Sequence, residues 1–277
     1  PAPVLKDELA KADFKPNAEW KMVPAYKLSF LDRIRLDFII EEEVRKGNLA
    51  RWDSTMELPK HGSPAFIAAR KGHETGRMVV DFRFYNRQIV NPVFNLPRTD
   101  DILNIMSQEF APEDQGFFGA ADLATGYFQA TLDPEAAKYL AITAPSGVYF
   151  PKRLQLGPSW APSWFQSRSS QAFKEPFLVY IDDIVWRSRN EAELVEHIET
   201  LHKICERTGF VLSLRKTKLG SKSVEVLGHL ITTDGRTVSE QKLNLVENWP
   251  MPANKANLHS FICVLTYLRE YIWRFQE

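Results

Sequence analysis

Phe177-Leu178-Val179-Tyr180-Ile181-Asp182-Asp183-Ile184-Val185-Trp186 sets two adjacent carboxylates between two apolar runs. The runs are short and rich in β-branched and aromatic residues, so Phe177 to Tyr180 and Ile184 to Trp186 read as strands joined by a tight turn at the acids. Adjacent carboxylates repel, and an apolar setting penalises each charge further. The pair is therefore either a solvated hairpin turn, which Asp favours, or a site that faces a cation. A second apolar run, Phe117-Phe118-Gly119-Ala120-Ala121, delivers Asp122 in the same way and also reads as a buried strand. Three carboxylates at strand ends make the hard, oxygen-rich set that Mg²⁺ takes, and such a set suits phosphoryl transfer by two metals about 4 Å apart.

Working outward, residues 27–47 read as an amphipathic helix with Leu31, Ile34, Phe38 and Ile39 on one face, Ser29 and Asp32 at capping-box spacing, and Gly47 as its stop. Phe66 to Ala69 and Met78 to Phe82 read as strands joined by a turn over Lys71 to Gly76. This hairpin region is basic, with Arg70, Lys71, Arg77, Arg83 and Arg87 against Glu74 and Asp81. A short helix is expected from Thr99. Another runs from Asn190 to Gly209 with Leu194, Ile198, Leu201 and Cys205 on one side. Short strands around residues 210–233 lead to a turn at Asp234-Gly235, then to helical segments from Ser239 and Asn254. In the last of these Leu258, Phe261, Ile262, Leu265 and Leu268 form the expected buried face.

The bulk numbers fit an ordinary globular protein: 277 residues, 44% hydrophobic and 25% charged. No apolar run reaches the ~18 residues of a membrane helix, and no signal peptide is apparent, so an intracellular protein is expected. The chain opens on Pro1, which suggests a piece of a longer polypeptide. Cys205 and Cys263 are too few for a disulfide framework or a Cys-x-x-Cys zinc site and read as core thiols. Basic and acidic residues balance at 35 each, so any grip on a polyanion must come from a local patch. P-loop, dinucleotide-binding and H-E-x-x-H patterns are absent. His197 and His202 are five residues apart, on different helix faces, and the histidines read as surface or packing residues.

Tyr180-Ile181-Asp182-Asp183 matches a Y-x-D-D box, and Asp122-Leu123-Ala124-Thr125-Gly126-Tyr127-Phe128-Gln129 resembles D-L-x-S-G-Y-x-Q. By these boxes the chain resembles the reverse transcriptase domain of gypsy-type LTR retrotransposon polyproteins, and further stretches agree. Upstream, Arg77-Met78-Val79-Val80-Asp81-Phe82-Arg83 with Asn86 resembles R-M-V-V-D-Y-R-x-L-N, and Asn95-Leu96-Pro97-Arg98-Thr99-Asp100-Asp101 resembles L-P-R-x-D-D. Downstream, Gly157, Ala161, Pro162, Phe165 and Gln166 fall on F-G-L-x-N-A-P-x-x-F-Q, and Val224-Glu225-Val226-Leu227-Gly228-His229 matches the V-E-F-L-G-H primer grip. Trp249-Pro250-Met251-Pro252 with Leu258, Ser260 and Phe261 matches the start of the thumb, so the matches run from about residue 25 to residue 272.

The resemblance implies an α+β right-hand polymerase fold with an antiparallel palm sheet. Residues 1–26 would be an N-terminal extension, 27–120 the fingers with the first part of the palm, 121–235 the palm with an inserted fingers segment and the primer grip, and 236–277 the start of a helical thumb. It implies RNA-directed DNA polymerisation with two Mg²⁺ ions, Mn²⁺ being an alternative, a primed RNA or DNA template and deoxynucleoside triphosphates. Asp122, Asp182 and Asp183 would hold the metals, and Lys216 would protonate the leaving pyrophosphate, although Arg215, Lys216, Lys218 and Lys222 could equally track template phosphates. Arg70, Lys71 and Arg77 would meet the triphosphate, together with the backbone near Thr125 and Gly126; Tyr127 would be the steric gate against a 2′-hydroxyl. Leu156 and Gln166 would lie near the incoming nucleotide, and Leu227, Gly228 and His229 would grip the primer. RNase H and integrase domains would belong to the same polyprotein outside this chain, which would work in a cytoplasmic virus-like particle or the nucleus.

Two stretches depart from the family pattern. Leu154-Gln155-Leu156-Gly157 stands where M-P-F-G is usual, and Phe261-Ile262-Cys263-Val264 replaces F-L-G-L. An inactive, domesticated nucleic-acid-binding remnant of the same fold is therefore the alternative, with a two-metal nuclease or phosphatase behind it.

Overall fold

The computed structural model describes residues 9–70, 73–92 and 96–275. In chain order they form α1 (Phe30–Arg45), β1 (Leu49–Arg51), β2 (Gly62–Arg70), β3 (His73–Val80), α2 (Arg83–Gln88), α3 (Thr99–Met106), β4 (Phe117–Asp122) and α4 (Pro134–Ala137). There follow β5 (Ala141–Ala144), β6 (Gly147–Pro151), α5 (Ala161–Ala172), β7 (Leu178–Tyr180), β8 (Asp183–Ser188) and α6 (Glu191–Thr208). The last elements are β9 (Lys218–Ser221), β10 (Ser223–Val226), β11 (His229–Thr232), β12 (Gly235–Val238), α7 (Glu240–Glu247) and α8 (Lys255–Tyr267). The chain divides into two compact units, one of Pro1–Leu96, Leu123–Lys174 and Leu201–Ser213, the other of Pro97–Asp122, Glu175–Thr200 and Leu214–Glu277.

In the first unit five strands run in the order β1-β6-β5-β2-β3, antiparallel except where β2 meets β5. Helix α1 is capped as expected: the Ser29 hydroxyl oxygen accepts from the Asp32 amide at 3.1 Å and donates to the Asp32 carboxylate at 2.8 Å. Its buried side is not the expected one. Leu36 and Ile40 enter a core with Leu49, Ala65, Ile142 and Tyr149, whereas Leu31, Ile34 and Phe38 are 54%, 50% and 60% exposed. At 100° per residue these two sets lie on opposite sides of the helix. Periodicity finds both apolar stripes but cannot say which one meets the sheet.

Strand β3 begins at His73, so His73 to Gly76, expected in the turn, belong to the strand. Gly76, at φ +69°, stands near the register shift between Ala68 and Arg70, and a Cβ there would come within 2.7 Å of the Ala68 carbonyl oxygen.

The second unit holds the antiparallel sheet β7-β8-β4-β9 and a smaller sheet β10-β11-β12. Phe118 and Val185 of the larger sheet pack with Ile102, Leu103 and Met106 of α3 and with Val224, Val226 and Ile231 of the smaller one. Gly119 has a different reason for its place in the apolar run. A Cβ there would collide with the indole of Trp186, a fully buried ring held edge-on by Phe177 at 5.6 Å between centroids.

Asn190 and Glu193 stand at capping-box spacing at the start of α6: Asn190 Oδ1 accepts from the Glu193 amide at 2.9 Å, while Glu193 Oε2 accepts from the amide of Arg189, one residue before the cap, at 2.6 Å. Helices α7 and α8 follow Ser239 and Asn254. Three expectations need correction. Asp234-Gly235 does not end the strands, because Gly235 pairs with Thr232 and opens β12. No residue of α8 is buried: Leu258 and Ile262 are 47% and 49% exposed, and of the expected face only Leu268, just past the helix, is buried. Cys263 is exposed and Cys205 half-buried, so neither is a fully buried core thiol. Among the described residues no helix is long and apolar enough to cross a membrane.

Candidate active site

Strand pairing sets the carboxylates. Asp122, the last residue of β4, lies directly opposite Asp183, the first of β8. Tyr180 also pairs with Asp183, so Ile181 and Asp182 alone make the turn between β7 and β8. Ile181 adopts φ +57°, a left-handed conformation that a β-branched residue occupies at a cost of about 1–2 kcal/mol. That conformation fixes where the next residue, Asp182, begins.

Lys216 Nζ lies 3.2 and 3.1 Å from the two carboxylate oxygens of Asp122. Burial, opposed by a backbone hydrogen bond and reinforced by the Asp122 charge, holds the Asp182 carboxyl above the usual carboxylate range. Burial, then the charges of Asp182 and Asp122, does the same to Asp183. By surface area Asp183 is exposed, yet the protein surrounds its carboxyl on enough sides to disfavour the charge. The two like charges beside it push the same way. Asp122, Asp183 and Lys216 border an open cleft of about 470 Å³ that is also lined by Arg215, Lys218, Leu227 and Gly228.

Three aspartates, two at strand ends of one sheet and one in the turn between its strands, supply hard oxygen donors, and two of the three are held in a state that a cation would relieve. Lys216 already supplies one positive charge to the third. The donor chemistry therefore fits divalent ions. It is not a finished cage, since among the described residues no three His, Cys, Asp or Glu side chains converge closely enough to hold a single ion. Open positions are what a site for phosphate oxygens requires.

The β10–β11 hairpin closes with Val226 opposite His229, leaving Leu227 (φ +47°) and Gly228 (φ +78°) as its two-residue turn. His229 is buried, its ring 5.1 Å from that of Tyr267 and 5.5 Å from that of Tyr271. Burial, then the charges of Lys242 and Arg236, lowers its pKa.

The remaining candidates lie in the first unit. Thr125 is exposed at φ +59°, followed by Gly126 at φ +42° and by the half-buried Tyr127, whose ring meets Phe165 edge-on at 5.0 Å. Gln129, which the sequence reading left without a role, is fully buried beneath this turn. Its amide donates to the carbonyls of Ala124 (2.5 Å) and Val211 (2.9 Å), and its Oε1 accepts from the Val211 amide at 2.9 Å. The local signal for it is a polar residue set between Tyr127-Phe128 and Ala130, a position that calls for buried hydrogen-bond partners. Arg77 is exposed on β3. Leu156 is 64% exposed, with Gly157 at φ +118° beside it. Gln166 is fully buried, its amide donating to Ser170 Oγ at 2.8 Å, so it supports α5 and offers no exposed atom. Lys71 and the side chain of Arg70 lie outside the described residues, as does Asn95 of the L-P-R stretch.

Comparison with known proteins gives the chain its family. Residues 59–231 match the family model "Reverse transcriptase (RNA-dependent DNA polymerase)". The "Enzymatic polyprotein" of cauliflower mosaic virus (strain NY8153) is 31% identical over 219 residues, covering 76% of this chain and 31% of the viral protein. The "Retrovirus-related Pol polyprotein from transposon 412" of Drosophila melanogaster is 25% identical over 244 residues, covering 86% of this chain and 19% of that one. The chain thus spans less than a third of the length of either relative. Among solved structures, the foamy viral protease-reverse transcriptase dRH in complex with double-stranded DNA superposes with a TM-score of 0.85 at 20% identity, over 100% of this chain and 47% of that one.

Proposed function

The chain belongs to the reverse transcriptase family, and from that membership we propose that it is the polymerase core of a gypsy-type retrotransposon RNA-directed DNA polymerase. The fold is the α+β right-hand polymerase fold. In this reading residues 1–26 are an N-terminal extension, 27–120 serve as fingers with the first part of the palm, 121–235 as palm with an inserted fingers segment and the primer grip, and 236–277 as the start of the helical thumb. The gypsy-type assignment rests on the Asp122 to Gln129 box and on the Val224 to His229 stretch.

The observation that carries the activity is the facing pair Asp122 and Asp183, with Asp182 on the strained turn beside them, on an open cleft lined by cationic residues. Asp122, Asp182 and Asp183 would hold two Mg²⁺ ions, or Mn²⁺ in their place. When bound, the ions supply charge stabilisation for attack of a primer 3′-hydroxyl on the α-phosphate of a deoxynucleoside triphosphate. Lys216, the cation next to the carboxylates, gives its proton to the departing pyrophosphate. Arg77, with Arg70 and Lys71, meets the triphosphate. The Thr125-Gly126 backbone approaches the nucleotide, and the Tyr127 ring, braced on Phe165, excludes a 2′-hydroxyl. Leu156 presents an exposed aliphatic surface near the base. Gln166 steadies α5 from within. The template is RNA or DNA, met in a virus-like particle or the nucleus, and RNase H and integrase domains lie elsewhere in the polyprotein.

Primer extension on an RNA template with deoxynucleotides and Mg²⁺ tests the reading, comparing this chain with Asp182→Asn. Extension by the parent alone supports it. Primer-template binding without extension by either protein supports a non-catalytic remnant, the reading favoured by the altered segment that leaves Leu156 exposed.

A further inference from the structure

The turn Leu227-Gly228 has positive φ at both residues, the form that two-residue hairpins favour when Asn-Gly or Gly-Gly occupies them. Leucine at its first position is strained, so the turn needs an outside hold. Tyr267, the last residue of α8, supplies one: its hydroxyl donates to the Leu227 carbonyl at 2.6 Å. The same hydroxyl accepts from Lys242 Nζ at 2.8 Å, and that ammonium lies 4.0 Å from the centroid of the Tyr267 ring. A Cβ on Gly228 would displace the end of the Lys242 side chain and come within 3.0 Å of the Tyr267 hydroxyl, and φ +78° itself favours glycine there. Next in the chain, His229 lies against the tilted rings of Tyr267 and Tyr271, and the Tyr271 hydroxyl is 2.7 Å from its Nδ1. The turn separates two cavities. On one side Leu227 and Gly228 border the carboxylate cleft; on the other Leu227 and His229 border a 200 Å³ hollow with Tyr267 in its wall.

We propose that Tyr267, fixed by Lys242, is a positioning residue that sets the Leu227-Gly228 turn against the primer 3′ end, an inference that rests on the polymerase reading above. Neither residue touches the carboxylates. Their effect passes through the backbone of the turn, which one hydrogen bond from a thumb helix holds in a conformation its own sequence disfavours.

Tyr267→Phe removes the hydroxyl and keeps the ring over His229. Amide hydrogen exchange without nucleic acid reads the clamp, and binding of a recessed primer-template, compared with a blunt duplex in the Asp182→Asn background, reads its consequence. The expected result is faster exchange confined to residues 224–232 and an affinity for the recessed duplex reduced about 2–10-fold, the size of one hydrogen bond, with blunt-duplex affinity unchanged. Lys242→Met should move both in the same direction by less. Unchanged exchange would overturn the clamp, and faster exchange with unchanged recessed-duplex affinity would overturn the positioning role. A parent protein that does not prefer the recessed 3′ end would instead sink the polymerase reading and the positioning role with it, while the exchange result still reports on the clamp.

Discussion

Asp122 and Asp183 occupy directly opposed positions across the β4–β8 pair. Facing residues in an antiparallel ladder bring their Cβ atoms to about 4.5–5.5 Å, and like charges there destabilise the sheet. Here the sheet tolerates the pair with Lys216 on one member and raised pKa values on the neighbouring acids. A local penalty of this kind at strand ends, beside an open cleft, is what a site awaiting cations requires.

Asp182→Asn should stabilise the metal-free protein at neutral pH. A carboxyl whose folded pKa is raised binds its proton more tightly folded than unfolded, so the parent loses stability as pH rises from the ordinary value of 3.8 through the raised one. Asparagine has no such term. Melting in EDTA should place the variant a few degrees above the parent at pH 7, with the gap closing as pH falls below that window and narrowing again when Mg²⁺ is added to the parent. Because the acids interact, the titration belongs to the group. A gap independent of pH would contradict this account.

Lys216→Met separates two roles for one cation. The Lys216 side chain is 66% exposed, so its pair with Asp122 contributes at most about 1 kcal/mol and the variant should melt close to the parent. If Lys216 protonates the leaving group, kcat should fall by on the order of 10²-fold with little change in primer-template affinity. If it tracks template phosphate, affinity should fall and its salt dependence should flatten by about one counterion, with kcat preserved.

Gly119→Ala tests the packing under Asp122. The added methyl collides with the fully buried Trp186 indole, a ring with no room to withdraw. Overpacking of this kind costs about 1–3 kcal/mol, and about 2–4 °C is lost per kcal/mol in a chain of this size. Thermal melts of the two proteins give the answer. An unchanged melting temperature would mean that the sheet and ring shift apart freely.

The parts of this architecture legible in sequence were those written in adjacent residues. The apolar runs flanking Asp122 and Asp182-Asp183 gave three strands of the larger sheet, and Asn190 with Glu193 gave the start of α6, because both signals are local. The buried face of α1 is not legible in this way, since Leu31, Ile34 and Phe38 form as good an apolar stripe as Leu36 and Ile40, and only the sheet decides between them. The same holds for Leu258 and Ile262 of α8, apolar yet half exposed. Lys216 approaches Asp122 across 94 residues, and only the family resemblance brought the two together. The Tyr267 hydrogen bond to Leu227 spans 40 residues and leaves no local trace at all.

Ile181 offers the sharpest test of whether strain at the turn serves the chemistry. Isoleucine at φ +57° is disfavoured by about 1–2 kcal/mol, and glycine accepts that conformation freely. Against that relief, Ile181→Gly forfeits a half-buried side chain and adds freedom to the unfolded chain worth about 0.5–1 kcal/mol. The opposing effects nearly cancel, so the melting temperature should move little. The aim of Asp182 should suffer more, because a loosened turn lets the carboxylate wander, and a displacement of about 1 Å at a reacting centre can cost on the order of 10²-fold in rate. The expected outcome is primer extension reduced tenfold or more, about 1.4 kcal/mol in the barrier, in a protein as stable as its parent. Full activity would show that strand pairing alone aims Asp182. A loss of several degrees in melting temperature would show instead that the Ile181 side chain holds the turn by packing and that its backbone conformation carries no such cost.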